Sequence, residues 1–171
     1  MRLGEAVLAV AVAVAVGMGL AATAAAGQPA PGAGESLALS ASSWGKPLFD
    51  WRVSADGEAV YRSSVKVPGG AFRDYDLVTR RFRLGRAELA RLRRLLAPGR
   101  RYAGTELPCR GDMISDMPYG RIAWGSAELK YDLGCRSPET KPVHRGLEAA
   151  RELMERLAAK APVASVEPVR G

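Results

Sequence analysis

The fold is decided by residues 49–67, FDWRVSADGEAVYRSSVKV. At its start, apolar side chains occupy positions 49, 51 and 53 and charged side chains the positions between them, which is the period of a strand with one solvent-exposed face. Asp56 and Gly57 follow as a turn signal, because glycine accepts the positive φ that a tight hairpin requires. Residues 59–67 then return as the partner strand. The sequence therefore predicts a β-hairpin and, with it, an antiparallel sheet.

The rest of the chain adds strands and helices to this hairpin. Periodicity predicts a strand over residues 76–84, a helix over 86–96, a second hairpin from 119–124 and 128–133, and a helix over 142–160. Pro98 and Gly99 are expected to end the first helix. The predicted fold class is α+β: a small antiparallel sheet of about five strands, in the order β-β-β-α-β-β-α, covered on one face by two helices.

The last helix has the clearest amphipathic pattern. Arg151 with Glu155 and Glu152 with Arg156 are i,i+4 pairs on its predicted solvent side. The opposite stripe is apolar and is expected to be buried: Val143, Leu147, Ala150, Leu153, Met154 and Leu157.

Residues 1–26 have the composition of a secretory signal peptide. Arg2 precedes an apolar run from Ala6 to Leu20, and small residues ending at Ala26 supply a cleavage site. We therefore expect an exported protein, periplasmic or extracellular after cleavage near Ala26. The alternative is an uncleaved membrane anchor, since an apolar stretch of about 20 residues is long enough to cross a bilayer.

One domain is expected over residues 43–161, enough chain for a single core. Residues 27–42 are predicted to be a flexible leader, because they begin with the uncharged, unpatterned sequence GQPAPGAG. Residues 162–171 are predicted to be a disordered tail, because Pro162 and Pro168 cannot continue a helix.

Cys109 and Cys135 are the two cysteines of the chain and flank the predicted second hairpin. Because antiparallel strands bring such ends together, we expect a disulfide in an oxidising compartment. By the loop-entropy relation it stabilises the fold by about 3.5 kcal/mol. A redox-active or metal-binding pair would need closer spacing or further ligands, and the chain has one histidine, so we expect no metal and no cofactor.

The net charge of +7 comes from one part of the chain. Residues 73–101 contain ten arginines, no lysine and three acidic residues, and the remaining residues are balanced. Because a guanidinium holds a carboxylate or phosphate with two parallel hydrogen bonds, this segment predicts a surface for an acidic protein, a lipid headgroup or another polyanion. The candidate anion-binding residues are Arg80, Arg81, Arg83, Arg86, Arg93, Arg94, Arg100 and Arg101. The alternative is a solvated surface that keeps a monomeric exported protein soluble.

Catalytic signatures are missing from the sequence: it contains no Gly-x-Ser-x-Gly and no phosphate-cradling loop, and it has no specific nucleic-acid motif. His144, the only histidine, lies near Lys141 and Arg145, and positive surroundings lower its basicity. We therefore expect a non-catalytic binding domain. The alternative is a cell-envelope hydrolase whose carboxylates, Glu106, Asp112 and Asp116, lie in the disulfide-clamped loop; their candidacy rests on residue type alone.

A resemblance is carried by Trp51-Arg52-Val53 before the Asp56-Gly57 turn, by Tyr61 on the return strand, and by Asp116-Met117-Pro118 before the second hairpin. Together with the basic strand that runs into a leucine-rich helix, these features resemble a family of small exported bacterial domains of unknown function. The resemblance covers residues 44–161. It implies the α+β fold class and export, and it implies no activity and no catalytic residues.

Overall fold

A computed structural model describes residues 34–171 of the protein. The predicted signal peptide and residues 27–33 of the predicted leader lie outside these residues. Within them the α+β fold class is confirmed: two helices pack against a large antiparallel sheet, and a small two-stranded sheet accompanies it. The elements are β1 (Leu37–Ser43), β2 (Lys46–Val53), β3 (Glu58–Lys66), β4 (Tyr75–Arg83), α1 (Arg86–Arg100), β5 (Asp112–Met113), β6 (Tyr119–Trp124), β7 (Ala127–Asp132), β8 (Cys135–Arg136), α2 (Lys141–Ala159) and β9 (Val163–Val169).

The large sheet has seven strands in the order β7-β6-β1-β2-β3-β4-β9, two more than predicted. Both predicted hairpins are present, as β2–β3 and β6–β7. All six pairings are antiparallel. The strand at the centre of the order is β2, with β1 beside it, so the N-terminal strand of the described chain lies inside the sheet.

Two boundary predictions are wrong. Residues 37–42, assigned to the flexible leader, form most of β1, because Leu37, Leu39 and Ala41 alternate with small residues and are buried. Residues 163–169, assigned to the disordered tail, form β9 on the edge of the sheet. An edge strand tolerates Pro168 and needs little burial, because its backbone hydrogen bonds to one neighbour hold it in place.

One face of the sheet carries the core. Leu39 of β1 lies between Trp51 of β2 and Ile122 of β6, and every second residue along these strands points to the same side. The buried apolar side chains of the sheet are Leu37, Leu39, Ala41, Trp51, Val53, Ala59, Tyr61, Ile122, Trp124, Leu129 and Tyr131. The intervening residues form the open face of the sheet, which no helix covers in the described chain.

The two helices lie side by side across the core face. α1 starts directly after β4 and ends where Gly99 packs against Ile122 and Trp124 of β6. α2 starts beside β7 and ends next to β4, where Arg80 donates a hydrogen bond to the carbonyl of Ala161. The helices touch closely at Gly146, where an added Cβ would lie 2.1 Å from the carbonyl oxygen of Leu95.

Both predicted helices are present, and the predicted end of the first helix is wrong. α1 continues through Pro98 to Arg100, because a proline in the last turn is compatible with a helix that ends two residues later and because Gly99 is packed on the sheet. In α2 the predicted stripe is buried, apart from Leu157, which is half-buried. Arg151 lies 2.8 Å from Glu155 and Arg156 lies 3.7 Å from Glu152, as the i,i+4 spacing predicts.

Neither helix in residues 34–171 combines the length and the apolar character needed to cross a membrane.

Candidate functional site

The eight candidate arginines do not form one surface, so this part of the prediction is wrong. Three of them, Arg86, Arg94 and Arg101, are exposed on or directly after α1. Arg81 and Arg83 lie on the open face of the sheet, across the molecule from the helices. The remaining three are half-buried: Arg80, Arg93 and Arg100. The strand period places adjacent residues on opposite faces, and the helical period turns Arg93 and Arg100 towards the sheet.

Two of the three half-buried arginines, Arg80 and Arg100, have local structural partners, whereas Nε and Nη2 of Arg93 are buried with no hydrogen-bond partner in the described chain. Arg80 bonds the carbonyl of Ala161 and so fixes the connection between α2 and β9. Arg100 donates to both carboxylate oxygens of Glu35, at 2.6 and 2.8 Å, with its guanidinium 5.5 Å from the Trp124 ring. The hydrogen bond from Arg100 holds the pKa of Glu35 below its usual value. These contacts join parts of the fold and leave the two guanidiniums less available to an external anion.

The outer side of α1 presents four exposed arginines that form no ion pair with any residue in the described chain: Arg86, Arg91, Arg94 and Arg101. We call these four residues the arginine face. At about 100° per residue they lie within an arc of about 140°, opposite the buried stripe of Leu89, Leu92 and Leu96. Arg91 was not among the candidates predicted from the sequence, although the helical period places it on this side.

The single acid within α1 does not neutralise the arginine face. The Glu88 carboxylate accepts a hydrogen bond of 2.6 Å from the Gly85 backbone N–H and closes the first turn of the helix. Arg101 lies with its guanidinium 4.7 Å from the centre of its neighbour's Tyr102 ring. Such a contact retains the positive charge, so Arg101 can still bind an anion.

The open face of the sheet is also rich in arginine, but much of its charge is balanced. Arg62 pairs with Asp50 at 3.0 Å, and Arg121 lies 3.6 Å from Glu128. Arg83 pairs with the side chains of both Asp56 and Glu58. Two exposed arginines on this face, Arg52 and Arg81, have no ion-pair partner in residues 34–171. They lie in one row of the sheet, on either side of Val60, and line one hollow together with Glu58. These two arginines are therefore the direct comparison for the four on α1, and they differ in having a carboxylate beside them.

The predicted disulfide is confirmed. Cys109 and Cys135 are bonded, with their Cα atoms 5.6 Å apart. β5 and β8 pair beside the bridge, with Met113 opposite Cys135. Cys109 is exposed and Cys135 is buried. The bridge therefore anchors a surface loop to the body of the domain, which is a structural role.

The three carboxylates proposed for a hydrolase are all exposed. Glu106 lies 3.4 Å from the Lys130 ammonium, and Asp116 occupies a turn with φ of 67°. Glu106 and Asp116 line two different surface hollows. Such positions lack the enclosed surroundings that tune a pair of carboxylates as acid and base. Among residues 34–171, no three histidine, cysteine, aspartate or glutamate side chains lie close enough to hold a metal ion.

His144 lies at the edge of a cleft that sequence reasoning missed. The cleft has a volume of about 610 Å³ and lies between α2 and the part of the core face nearest the β1–β2 turn. Phe49 and Leu147 line it, with Arg136 and Glu148 among its charged residues. Burial lowers the pKa of His144, with a further contribution from Arg136, while Asp132 acts in the opposite direction. The expected direction is thus right, but its main cause is burial. No local motif marks the cleft, because its residues come from six separate segments.

Comparisons of the chain with protein-family models, with curated proteins and with solved structures found no match.

Proposed function

We propose that the protein is an exported, non-catalytic binding domain that docks to an anionic partner through the arginine face of α1. The observation that carries this proposal is the set of four exposed guanidiniums on one helix surface with no ion-pair partner in the described chain. Export is supported by the signal-peptide pattern of residues 1–26 and is compatible with the disulfide.

Helix stability does not account for the arginine face. Arg86 lies in the first turn of α1, where the helix dipole disfavours a cation. Arg91 and Arg94 are three residues apart, and like charges at this spacing repel each other. Among the four, only Arg101 lies at the end of the helix that a cation stabilises. A bound anion would relieve this repulsion, so the arrangement favours a role in binding.

The chemistry of the partner follows from the residue type. Arginine stays charged at all physiological pH values and bonds carboxylate, sulfate or phosphate groups through a planar pair of donors. Because α1 is 15 residues long, its outer side extends over about 22 Å, at 1.5 Å per residue. This length fits an extended anion with repeated charges better than a single small one.

The test is binding to heparin, used as a model polyanion, over a salt range of about 50 to 200 mM. Two charge-matched variants are compared with the wild type: Arg91→Gln with Arg94→Gln on the arginine face, and Arg52→Gln with Arg81→Gln on the open face. All four of these arginines are exposed and form no ion pair in the described chain, so each double variant removes the same charge without breaking an ion pair.

We expect the wild type to bind and the α1 variant to bind more weakly. The slope of log binding constant against log salt should fall by about two in the α1 variant, since each lost ionic contact removes about one. The open-face variant should bind nearly as well as the wild type. Equal weakening in both variants would mean that net charge alone drives binding. If the wild type does not bind heparin, the arginines serve solubility and not binding.

A further inference from the structure

Five large apolar side chains are exposed at one end of the sheet, far from the arginine face. Their exposed fractions are 68% for Trp44, 62% for Phe72, 58% for Met113, 46% for Ile114 and 43% for Tyr119. They come from three separate segments: the β1–β2 turn, the β3–β4 loop, and the chain between Cys109 and the start of β6. We call these five residues the apolar tip.

Four of the five side chains of the apolar tip share one hollow, and Phe72 adjoins them through Lys46. Trp44, Met113, Ile114 and Tyr119 line one hollow of about 440 Å³. The Gly45 N–H donates a 3.2 Å hydrogen bond to the Tyr119 hydroxyl and so joins the turn to β6. On the other side, the Lys46 ammonium lies 3.3 Å from the Phe72 carbonyl oxygen and 5.5 Å from the centre of the Phe72 ring. Three loops thus present their apolar side chains on one surface.

Neither the turn nor the core explains a tryptophan at position 44. Trp44 has φ of 52° and Gly45 φ of 73°, a two-residue turn that favours asparagine followed by glycine. A bulky side chain is unfavourable at such a backbone angle. The other two tryptophans of the chain, Trp51 and Trp124, are buried in the core. Trp44 therefore gains no burial within the protein, and its placement suits a contact outside it.

We propose that the apolar tip inserts into the interfacial region of a phospholipid bilayer. Tryptophan and tyrosine favour this region, because each combines a large apolar ring with a polar group. Lys46 adds a cation at the edge of the apolar tip: its ammonium lies 4.6 Å from the centre of the Tyr75 ring and donates to the Phe72 carbonyl oxygen, which places it at the depth of the lipid headgroups when the rings insert. This inference is independent of the arginine face.

A bilayer fits the apolar tip better than a folded protein partner does. A stable protein interface uses roughly 20 to 30 residues on each side. The apolar tip offers five side chains that project from turns and loops, and hydrocarbon and headgroups can surround such projections on all sides. Asp112 and Asp116 flank Met113 and Ile114, so attraction to anionic lipid is not the driving force. The protein should therefore bind to vesicles of phosphatidylcholine, a lipid with no net charge, and this binding should depend little on salt.

The test uses tryptophan fluorescence of the exported chain with phosphatidylcholine vesicles, because Trp44 is the one exposed tryptophan of three. We expect its emission to shift to shorter wavelength and to be quenched when the lipid tails carry bromine. The variant Met113→Ser with Ile114→Ser retains Trp44 and should bind vesicles on the order of tenfold more weakly, since less apolar surface is buried. The matched control is Val163→Ser with Val166→Ser, two exposed valines of β9 that lie away from the apolar tip, and it should bind like the wild type.

Three results would overturn the inference. The first is the absence of any emission change or co-sedimentation with vesicles. The second is co-sedimentation in which acrylamide still reaches Trp44 as it does in solution, because the membrane contact would then lie elsewhere. The third is self-association that Trp44→Ala abolishes, seen by sedimentation in the absence of lipid, because the apolar tip would then be an interface between two copies of the chain.

Discussion

The pKa of His144 depends on how deeply the cleft beside α2 buries the imidazole. Burial is the main cause that lowers its pKa, so the neutral imidazole is favoured in the folded protein. The unfolded chain then binds more protons in the window between the folded pKa and about 6.5, and stability falls as the pH is lowered through that window. Proton NMR of the single histidine should give a midpoint below 6.5. A midpoint at or above 6.5 would show that the imidazole is solvated and that the packing around the cleft is wrong.

The arginines show what residue-level patterns can and cannot predict. The alternation of residues 76–84 is visible in the sequence, and it already places Arg80 and Arg81 on opposite faces of a strand. It does not say which face the helices cover, because that depends on the packing of the whole sheet. Arg93 and Arg100 are half-buried although each is the neighbour of an exposed arginine, Arg94 and Arg101. The boundary between the buried and exposed sides of a helix cannot be located to one residue by period alone. The charge excess is a count from the sequence. The prediction that its arginines share one surface is wrong, because the strand and the helix turn them towards different sides.

The disulfide ties the loop before β6 to the strand that precedes α2. Replacing Cys109 by serine and the buried Cys135 by alanine should lower the free energy of unfolding by about 2 to 5 kcal/mol, because the loop closed by the bridge regains its freedom in the unfolded chain. Urea denaturation of the variant and the wild type measures this difference. The unreduced wild type should show no free thiol, and a count of two would contradict the bridge.

Removal of β1 and removal of β9 should have very different effects on folding. A chain that starts at residue 44 loses Leu37 and Leu39 from the core and separates β2 from β6, so we expect it not to fold. A chain that ends at residue 161 loses one edge strand whose side chains are mostly exposed, and we expect it to fold with reduced stability. Circular dichroism during urea denaturation compares both with a chain that starts at residue 34. Folding of the chain that starts at residue 44 would contradict the central position of β1.

β1 and β9 are also the two strands of the large sheet that the sequence pattern did not predict. Leu37, Leu39 and Ala41 alternate with Ala38 and Ser40, but these small residues and the preceding Gly/Pro/Ala stretch give a weak strand signal. Pro162 directly precedes β9 and Pro168 lies near its end, and the residues of β9 form a strand because the edge of β4 is available for hydrogen bonding. The hairpins and both helices were predictable because their patterns are local. The order of the seven strands depends on long-range pairing and was not.

At the scale of the whole molecule, the proposed export implies that residues 1–26 are removed. If residues 1–26 are a signal peptide, the intact mass of the exported protein should lack them and correspond to a chain that begins at or near Gly27. Mass spectrometry of protein recovered from the culture medium or the periplasm gives this directly. A mass that includes residues 1–26 would make the chain a membrane-tethered protein.

The molecule places its two proposed contact surfaces apart. The arginine face lies on the outer side of α1, whereas the apolar tip lies at the end of the sheet formed by the β1–β2 turn and the β3–β4 loop. α1 starts at the opposite end of β4 from that loop. A membrane contact through the apolar tip would therefore leave the arginine face accessible to an anionic partner, and the two contacts can be tested separately.

The central claim, that α1 carries the anion-binding surface, is tested most directly by NMR mapping. Amide chemical shifts of the isotope-labelled protein are followed while a heparin oligosaccharide is added at low salt. We expect the changes to concentrate in residues 86–101, to weaken as salt is added, and to be lost when Arg91 and Arg94 are replaced by glutamine. Changes concentrated around Arg52 and Arg81 on the open face of the sheet, with α1 unaffected, would contradict the claim.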